Sequence, residues 1–531
     1  MPLVSIFLFS LFSFCFTLYR TKETQRSMES SRPFCWLLLT FLILSCFVAQ
    51  THGSMKEQSS LYGYKATLLK PNFGVNTSRF KAFEHGNIET NVYPQEGFKE
   101  KDRIERLPGQ PPVNFSQYGG YITVNQSAGR ALFYYFVEAQ QPNDTLPLLL
   151  WVTGGPACSS LGIGAMQEVG PFRVRSDGKT LYTNQFSWNH AANVLFIESP
   201  AGVGFSYSNT SSDFDDEMGD IATTTDNYRF LVNWLERFPE YKNRAFYISG
   251  ESYAGFYVPL LANAILHNNK KASKTIINLK GISLGNPTIN FEAERQGSFE
   301  FASTHALSSD RDTSRVLKYC NFSLPNEKFS KACKEAWNAV IVDAFPTENT
   351  NILISPPIDC MHVNLTVPPK KVSILNLDYC ETNYVAAYMN RRDVQEALHA
   401  NVTKIPGKWD ECSLGGYSDF KGSISSVIKE LMANGLQVWI YSGDTDMVVS
   451  VTSTKYTLRR MKLHVKTAWR AWFDKGEVGG FTEVYEGGLT FATVRAAGHM
   501  VPAFQPARAL TLIKNFLDGT PLPDLNRSLI S

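Results

Sequence analysis

The sequence predicts an α/β fold with a mostly parallel central sheet, and three observations carry that prediction. Short β-type runs alternate with segments of helical period along most of the chain. Two of the runs, Leu148–Val152 and Val194–Ile197, are continuously apolar, as strands buried on both faces of a parallel sheet must be. The intervals between later runs hold helical patterns, which supply the right-handed crossovers that parallel strands require.

The elements follow in order. Residues 54–100 are polar and without period and read as an N-terminal extension, with a folded domain over 101–525. Strands are expected at Tyr121–Val124, Leu132–Val137, Leu148–Val152 and Val194–Ile197. A helix over Thr225–Phe238 places Phe230, Leu231, Trp234, Leu235 and Phe238 on one face. A strand at Ala245–Ser249 leads into a helix from about Tyr253, and another strand lies near Leu279–Leu284. Residues 290–400 break the rhythm, with four cysteines and the pairs Pro356-Pro357 and Pro368-Pro369. They read as an insertion stapled by disulfides, with an exposed, protease-sensitive loop around 345–375. The alternation resumes with helix Ile424–Ala433, stopped by Gly435, and strand Leu436–Tyr441. Strand Leu489–Val494 and helix Pro506–Leu517 complete it, Pro506 being suited to a first helical turn.

Composition narrows the function. The 531 residues carry 51 basic and 49 acidic side chains, a net charge of +2, which argues against nucleic-acid binding as the main activity. With 44% hydrophobic and 19% charged residues, the chain has enough apolar surface to fold. No apolar run after residue 55 is long enough to span a bilayer. Two apolar runs precede that point. The second, Pro33–Ala49, ends in small residues and reads as the core of a secretory signal cleaved near Gly53, so that 1–53 is a leader. Met28 just upstream leaves two start codons open, Met1 and Met28, the first run then being an upstream extension. Each run is short for a membrane anchor.

Cysteine usage agrees with secretion. Cys15, Cys35 and Cys46 lie in the leader. Cys158, Cys320, Cys333, Cys360, Cys380 and Cys412 remain, an even number that implies three disulfides with any of fifteen pairings. No CxxC, HxH or HExxH spacing occurs, so no metal and no cofactor is expected. Nine Asn-x-Ser/Thr sequons, at Asn76, Asn114, Asn125, Asn143, Asn209, Asn321, Asn364, Asn401 and Asn526, fit N-linked glycosylation. A secreted or vacuolar protein is the expectation; its oligomeric state is open, a dimer included.

The chemistry-bearing segments sit at strand ends. Strand Phe246–Ser249 runs into Gly250-Glu251-Ser252-Tyr253-Ala254-Gly255 and then a helix. A serine at such an apex occupies a tight turn that small neighbours such as Gly250 and Ala254 permit, with its hydroxyl projecting above the sheet. A nucleophilic serine needs a base and a group to orient that base. Strand Leu436–Tyr441 ends in Ser442-Gly443-Asp444-Thr445-Asp446, and strand Leu489–Val494 leads to Gly498-His499-Met500. Both lie past carboxyl ends of strands, where open α/β sheets build their sites. Strand Leu148–Val152 ends in Thr153-Gly154-Gly155-Pro156. There the N–H of Gly155, with that of Tyr253, is expected to form an oxyanion hole.

Four segments together resemble the serine carboxypeptidase family, and most of all its plant serine carboxypeptidase-like members: Leu150–Leu161, Glu198–Tyr207, Gly250–Pro259 and Gly498–Pro502. The likeness spans about residues 100–520, in the family's order. It implies an α/β-hydrolase fold with a disulfide-stapled lid insertion at about 290–400. It implies Ser252, Asp446 and His499 as catalytic triad, with Asp444 structural. The family's pairing implies disulfides Cys158–Cys412, Cys320–Cys333 and Cys360–Cys380. The implied activity is release of C-terminal residues through an acyl-enzyme, the substrate being a peptide or protein C-terminus. Glu168 and Glu251 match the family's carboxylate-reading glutamates, with Thr153 and Gly154 beside them, and Met500 matches a residue of the leaving-residue pocket. Two close carboxyls and a substrate carboxylate cannot all be charged, so cleavage is expected to favour acid pH.

Two positions depart from the pattern. Thr153 stands where the family has asparagine, and Ala157 where it usually has glycine. Acyltransferases of the family, which use glucose esters as donors, often carry threonine before Gly-Gly-Pro. They tend, however, to have Gly-Asp-Ser-Tyr-Ser-Gly at the serine, where this chain has Gly250-Glu251-Ser252-Tyr253-Ala254-Gly255. The peptidase reading is therefore preferred. Acyl transfer and a non-catalytic secreted binding protein are its rivals.

Overall fold

Alternate side chains of the central strands enter two different cores. Leu148, Leu150 and Val152 pack on one face of the sheet, and Leu149 and Trp151 on the other. The same split divides Val438 and Ile440 from Trp439 and Tyr441. A strand with both faces covered reads as a continuous apolar run, which is why Leu148–Val152 shows no polar alternation.

The computed structural model describes residues 88–140, 145–214, 219–324, 326–344, 351–353, 378, 380–402, 407–413, 417 and 422–525. All belong to one unit of the chain, 71–531. The strands are β1 (Arg103–Ile104), β2 (Gln117–Asn125), β3 (Arg130–Val137), β4 (Leu148–Val152), β5 (Phe172–Val174), β6 (Leu181–Thr183) and β7 (Asn193–Ile197). They continue as β8 (Phe246–Glu251), β9 (Leu279–Gly285), β10 (Gln437–Gly443), β11 (Val465–Asp474), β12 (Glu477–Tyr485) and β13 (Leu489–Val494). Eleven of them form one sheet, in the order β1-β2-β3-β7-β4-β8-β9-β10-β13-β12-β11. Its centre, β7 through β13, is parallel, and antiparallel strands extend it at both edges. β5 and β6 form a separate hairpin.

The longer helices are α1 (Asp220–Arg237), α2 (Ala254–Lys271), α3 (Phe291–Thr304), α4 (Asp310–Tyr319), α5 (Lys331–Ala344), α6 (Glu381–Met389), α7 (Arg392–Ala397), α8 (Ser425–Ala433), α9 (Val451–Met461) and α10 (Pro506–Leu517). α1, α2 and α8 cover the first face of the sheet. α6, α10 and a π-helical segment, Ser160–Glu168, cover the second. The expected face of α1 is buried as read: Phe230, Leu231, Trp234, Leu235 and Phe238 are all in the first core. This is the α/β-hydrolase fold the sequence pointed to.

The interval between β9 and β10 holds α3 to α8. Phe299, Phe301, Val316, Ala336 and Val340 build a third, smaller core there around the disulfide Cys320–Cys333. The second expected disulfide is also formed: Cys158–Cys412 closes a sequence separation of 254 residues. Cys380 is disulfide-bonded, and its expected partner Cys360 lies outside the described residues. So do the leader, nearly all of the 345–375 loop and most of 54–100.

Besides small shifts at strand ends, such as β2 beginning at Gln117 rather than Tyr121, three departures from expectation have a physical reason. α1 starts five residues early, because Asp220 is buried and bonded to two tyrosines rather than exposed. The β11–β12 hairpin had no expected counterpart, since β11 is mostly exposed and its pairing is broken by register shifts near Thr467 and Trp472. The segment Ser160–Glu168 was unassigned, its small residues giving no helical stripe.

Opening the long Cys158–Cys412 loop is expected to matter for stability. The double variant Cys158→Ser/Cys412→Ser is expected to lose about 2–4 kcal/mol, read from urea denaturation of the purified protein.

Candidate active site

Ser252 follows the last residue of β8 with φ +62, in the left-handed region, and α2 begins two residues later. For a residue with a Cβ that conformation costs about 1–2 kcal/mol. Two backbone bonds hold it: Ser252 N–H donates to Gly285 O (3.0 Å), and Thr288 N–H donates to Ser252 O (2.9 Å). The turn also needs Gly250, where a Cβ would sit 2.5 Å from Val152 O and 2.7 Å from the Ala254 methyl. The strand-end loop after β4 lies directly against this turn. A Cβ on Gly154 would stand 2.4 Å from Tyr253 N and 2.6 Å from Glu251 O. Thus Gly154 is brought beside the peptide that follows Ser252, with Gly155 next to it in the chain. The Tyr253 ring is anchored at its far end, its hydroxyl donating to Asp220 (3.1 Å).

Asp446 and His499 meet because β10 and β13 are parallel neighbours, Gly443 pairing with Val494. The loops beyond them are laced together: Ala496 N–H donates to Asp444 Oδ1 (2.7 Å), and Thr445 N–H and Oγ1–H both donate to Ala497 O. Asp444 is thus a structural residue of that lacing. His499 Nδ1–H donates to Asp446 Oδ2 (2.9 Å). Oδ2 also accepts from Asn286 Nδ2 (2.6 Å) and Val449 N–H (3.2 Å), and Oδ1 accepts from Val448 N–H (2.7 Å). With Nδ1 protonated, the neutral ring carries its lone pair on Nε2. That atom is buried without a hydrogen-bond partner, so the bond from Ser252 to His499 is not made. An unbonded base is common in hydrolases without substrate.

Asn286 was missed by sequence reasoning. It is fully buried, has φ +39 and accepts from Gly443 N–H through Oδ1 (3.2 Å). Its signal was the placement of Gly285-Asn286-Pro287 just past β9, at the same carboxyl end of the sheet.

Glu168 ends the π-helical segment and Glu251 ends β8; both are buried, at 1% and 2% exposure. Burial raises the Glu251 carboxyl well above the ordinary range, and the charges of Glu168 and Asp446 push the same way. Burial also raises Glu168; the Glu251 carboxyl, His499 and Arg173 work against that rise, and Glu411 adds to it. As carboxylates the two groups have only acceptor atoms, and neither Glu168 oxygen finds a donor. A bond between them exists when one holds a proton, which the raised values favour. Arg173 gives its guanidinium to the backbone oxygen of Glu168. Tyr441 on β10 feels both glutamates, although burial is the main cause of its raised phenol. The Thr153 hydroxyl accepts from Trp151 Nε1 (3.0 Å), which leaves its own proton to donate. Met500 packs half-buried against the second core.

The turn carrying these groups is clamped from two sides. Ser159 donates from Oγ to buried Glu198, which also accepts from Phe205 N–H. Ser159 N–H donates to Glu411 O (2.7 Å), and Ser413 N–H to Ala157 O (2.8 Å), flanking the Cys158–Cys412 disulfide. Ala157 has φ +65, so the left-handed backbone for which the family uses glycine is kept despite the methyl. Among the described residues no cluster of three or more His, Cys, Asp or Glu side chains could hold a metal ion.

A parallel sheet with a left-handed serine turn at one strand end and an aspartate-bound histidine at two others defines an α/β-hydrolase of the serine type. Comparison with known proteins narrows the class. The family model described as serine carboxypeptidase matches residues 108–519, and the chain belongs to that family of serine-type carboxypeptidases. Serine carboxypeptidase-like 40 of Arabidopsis thaliana is 52% identical over 504 residues, covering 92% of this chain and 98% of its own. Serine carboxypeptidase 24 of the same plant is 49% identical over 439 residues, covering 80% and 94%. Among solved structures, the yeast (Saccharomyces cerevisiae) prohormone-processing carboxypeptidase Kex1(delta)p shares the fold at a TM-score of 0.66, with 24% identity over 81% of this chain and 98% of its own.

The buried glutamates have a consequence for stability. Their folded-state values are raised, so the folded protein keeps protons that the unfolded chain would release. That stabilisation is full below the ordinary glutamate range and is lost as pH rises through the raised values. Urea midpoints of wild type are therefore expected to fall from mildly acid to alkaline pH. Those of Glu251→Gln are expected to fall less, and equal slopes would count against a shared buried proton.

Proposed function

We propose that this protein is a peptidase, removing C-terminal residues through an acyl-enzyme on Ser252. Ser252 Oγ attacks the last peptide carbonyl while His499 Nε2 takes its proton. Asp446 holds the ring by Nδ1–H and offsets the imidazolium charge. The N–H groups of Gly155 and Tyr253 receive the oxyanion. As the intermediate collapses, His499 returns the proton to the leaving amine. Water, activated by the same ring, then releases the acyl group. Asn286 acts through Asp446, as a positioning residue.

The observation that carries the peptidase reading is the buried pair Glu168 and Glu251, the latter directly preceding the serine. A free α-carboxylate can be bound there only if the pair keeps a proton to donate, with the Thr153 hydroxyl and the backbone around Gly154 beside it. Full ionisation of the pair would instead repel the substrate's end. The rival reading, acyl transfer from a glucose ester, is favoured by Thr153, a single-hydrogen donor at the family's asparagine position. The same acyl-enzyme serves both, and only the acceptor differs.

The 290–400 insertion, with the third core at its base, is proposed as the lid over this site within a catalytic domain of 101–525. Two formed disulfides and exposed sequons at Asn114, Asn209 and Asn321 support passage through the secretory route to a secreted or vacuolar location, with N-linked glycans.

With a blocked dipeptide and a glucose ester supplied together, the dipeptide is expected to be consumed; preferential use of the ester would establish the transferase instead. kcat/KM for the dipeptide is expected to be highest in mildly acid solution and to fall as the raised carboxyls ionise; a steady rise to alkaline pH would defeat this recognition scheme. Asn286→Ala is expected to cost about 1.5–3 kcal/mol of transition-state stabilisation, the range for a hydrogen bond to a charged group. That loss should fall in kcat rather than KM, while Ser252 still reacts with a fluorophosphonate.

A further inference from the structure

A second feature lies away from the serine, where α9 has run from Ser450 to the far side of the sheet. A groove of about 470 Å3 opens there between α9, β11 and the adjoining strands, within the size range of small-ligand sites. Its lining includes Lys455 and Arg459 of α9, Lys462 just past it, Trp469 of β11 and Phe491 of β13.

Its surface is unusual in two independent respects. The first is charge. From Met447 to Phe473 the chain has no acidic residue and six Lys or Arg side chains. Arg460 pairs with Glu292, and Arg470 is bonded to the carbonyls of Ala471 and Leu522. Lys455, Arg459 and Lys462 are exposed and hold no ion pair among the described residues. The acid lining the groove, Glu483, accepts from the Tyr485 hydroxyl. The second is a flat aromatic surface. Trp469 is 41% exposed and Phe481 42%, and their rings are parallel within 3°, centroids 5.8 Å apart. The buried Phe491 packs 5.9 Å from Trp469 with its ring tilted by 37°, and Lys455 Nζ stands 5.2 Å over the indole. Cations at the end of α9 are explained by the helix dipole alone. Exposed aromatic rings stacked beside them are not, since such apolar patches with a polar rim mark interaction sites.

We propose that this groove binds an acidic polysaccharide. The flat apolar faces of its sugar rings lie on Trp469, and its carboxylates pair with Lys455, Arg459 and Lys462. A concave groove encloses a chain-like ligand, whereas a membrane surface is met by protruding side chains. Runs of basic residues suit either nucleic acid or acidic glycans. The two formed disulfides place the protein in oxidising compartments, where glycans are the available polyanions. The inference does not depend on the catalytic assignment.

Calorimetric titration of the full mature protein with an oligogalacturonate tests it, beside a neutral galactose oligomer, vesicles of anionic lipid and single-stranded DNA. Binding is expected to the oligogalacturonate and not to the neutral oligomer, weakening on the order of tenfold or more between about 50 and about 200 mM salt. Trp469→Ala, and the triple variant Lys455→Ala/Arg459→Ala/Lys462→Ala, are each expected to lose on the order of tenfold in affinity, with unchanged peptide cleavage. No binding, equal binding of the neutral oligomer, or tighter binding of vesicles or DNA would overturn the proposal. So would oligogalacturonate binding that a folded Trp469→Ala variant keeps in full. The wild-type comparisons decide the ligand class whether or not the variants fold.

Discussion

One short loop, Gly285 to Thr288, fixes the relation between the serine and the aspartate. Gly285 O and Thr288 N–H hold the backbone of Ser252 from both sides, and Asn286 between them grips Asp446. The loop can do this because β9 lies between β8 and β10, so its exit falls midway between the two strand ends that carry those residues. His499 joins through a third neighbour, β13, whose following loop is tied to Asp444 and Thr445. Three side chains distant in sequence are thus set by backbone hydrogen bonds across adjacent strands. The left-handed strain at Ser252 is offset within the same network rather than by any remote contact.

Against that rigid frame, the electrostatics are unbalanced. Glu168 and Glu251 are buried with no Lys or Arg donating to either carboxylate, the nearby Arg173 being committed to the backbone oxygens of Phe172 and Glu168 and to Glu381. A structural ion pair would contain a cation; these two carboxyls have only each other, and one must keep a proton to bond the other. Such an arrangement costs stability when both groups ionise, and it persists where a ligand supplies or shares the missing proton. The contrast with Glu198 is instructive. That carboxyl is buried just as deeply but accepts from a hydroxyl, a backbone N–H and the Trp409 indole N–H.

What the sequence made legible follows from burial. The central strands and α1 were readable because both faces of the sheet are covered, which turns geometry into apolar pattern. The serine turn was readable because only small residues fit around Ser252. Asn286 and Tyr441 were not: each lies one or two positions past or within an ordinary-looking strand, and its role depends on which strands are neighbours. The π-helical segment was hidden because its residues are small and its period is not that of an α-helix. β11 was hidden because a half-exposed edge strand with broken register shows neither alternation nor an apolar run.

The segment between β9 and β10 is tied directly into the turn after β4. Its residues 411–413 pair with 157–159 through two backbone bonds and the Cys158–Cys412 disulfide. Glu411 from the same stretch meets Gln167, next in sequence to Glu168, and Thr382 of α6 donates to the same Gln167 (3.1 Å). The turn after β4, which carries Thr153 through Ser160, is therefore shared between the two parts of the protein. The methyl at Ala157, at φ +65, carries a local cost of about 1–2 kcal/mol, and the contacts from residues 411–413 hold the turn on both sides of it. The sheet sets Ser252, Asp446 and His499, while the segment between β9 and β10 holds the turn after β4 and Gln167 beside Glu168. Departures from the family pattern at Thr153 and Ala157 fall on that shared turn and leave the serine, aspartate and histidine untouched.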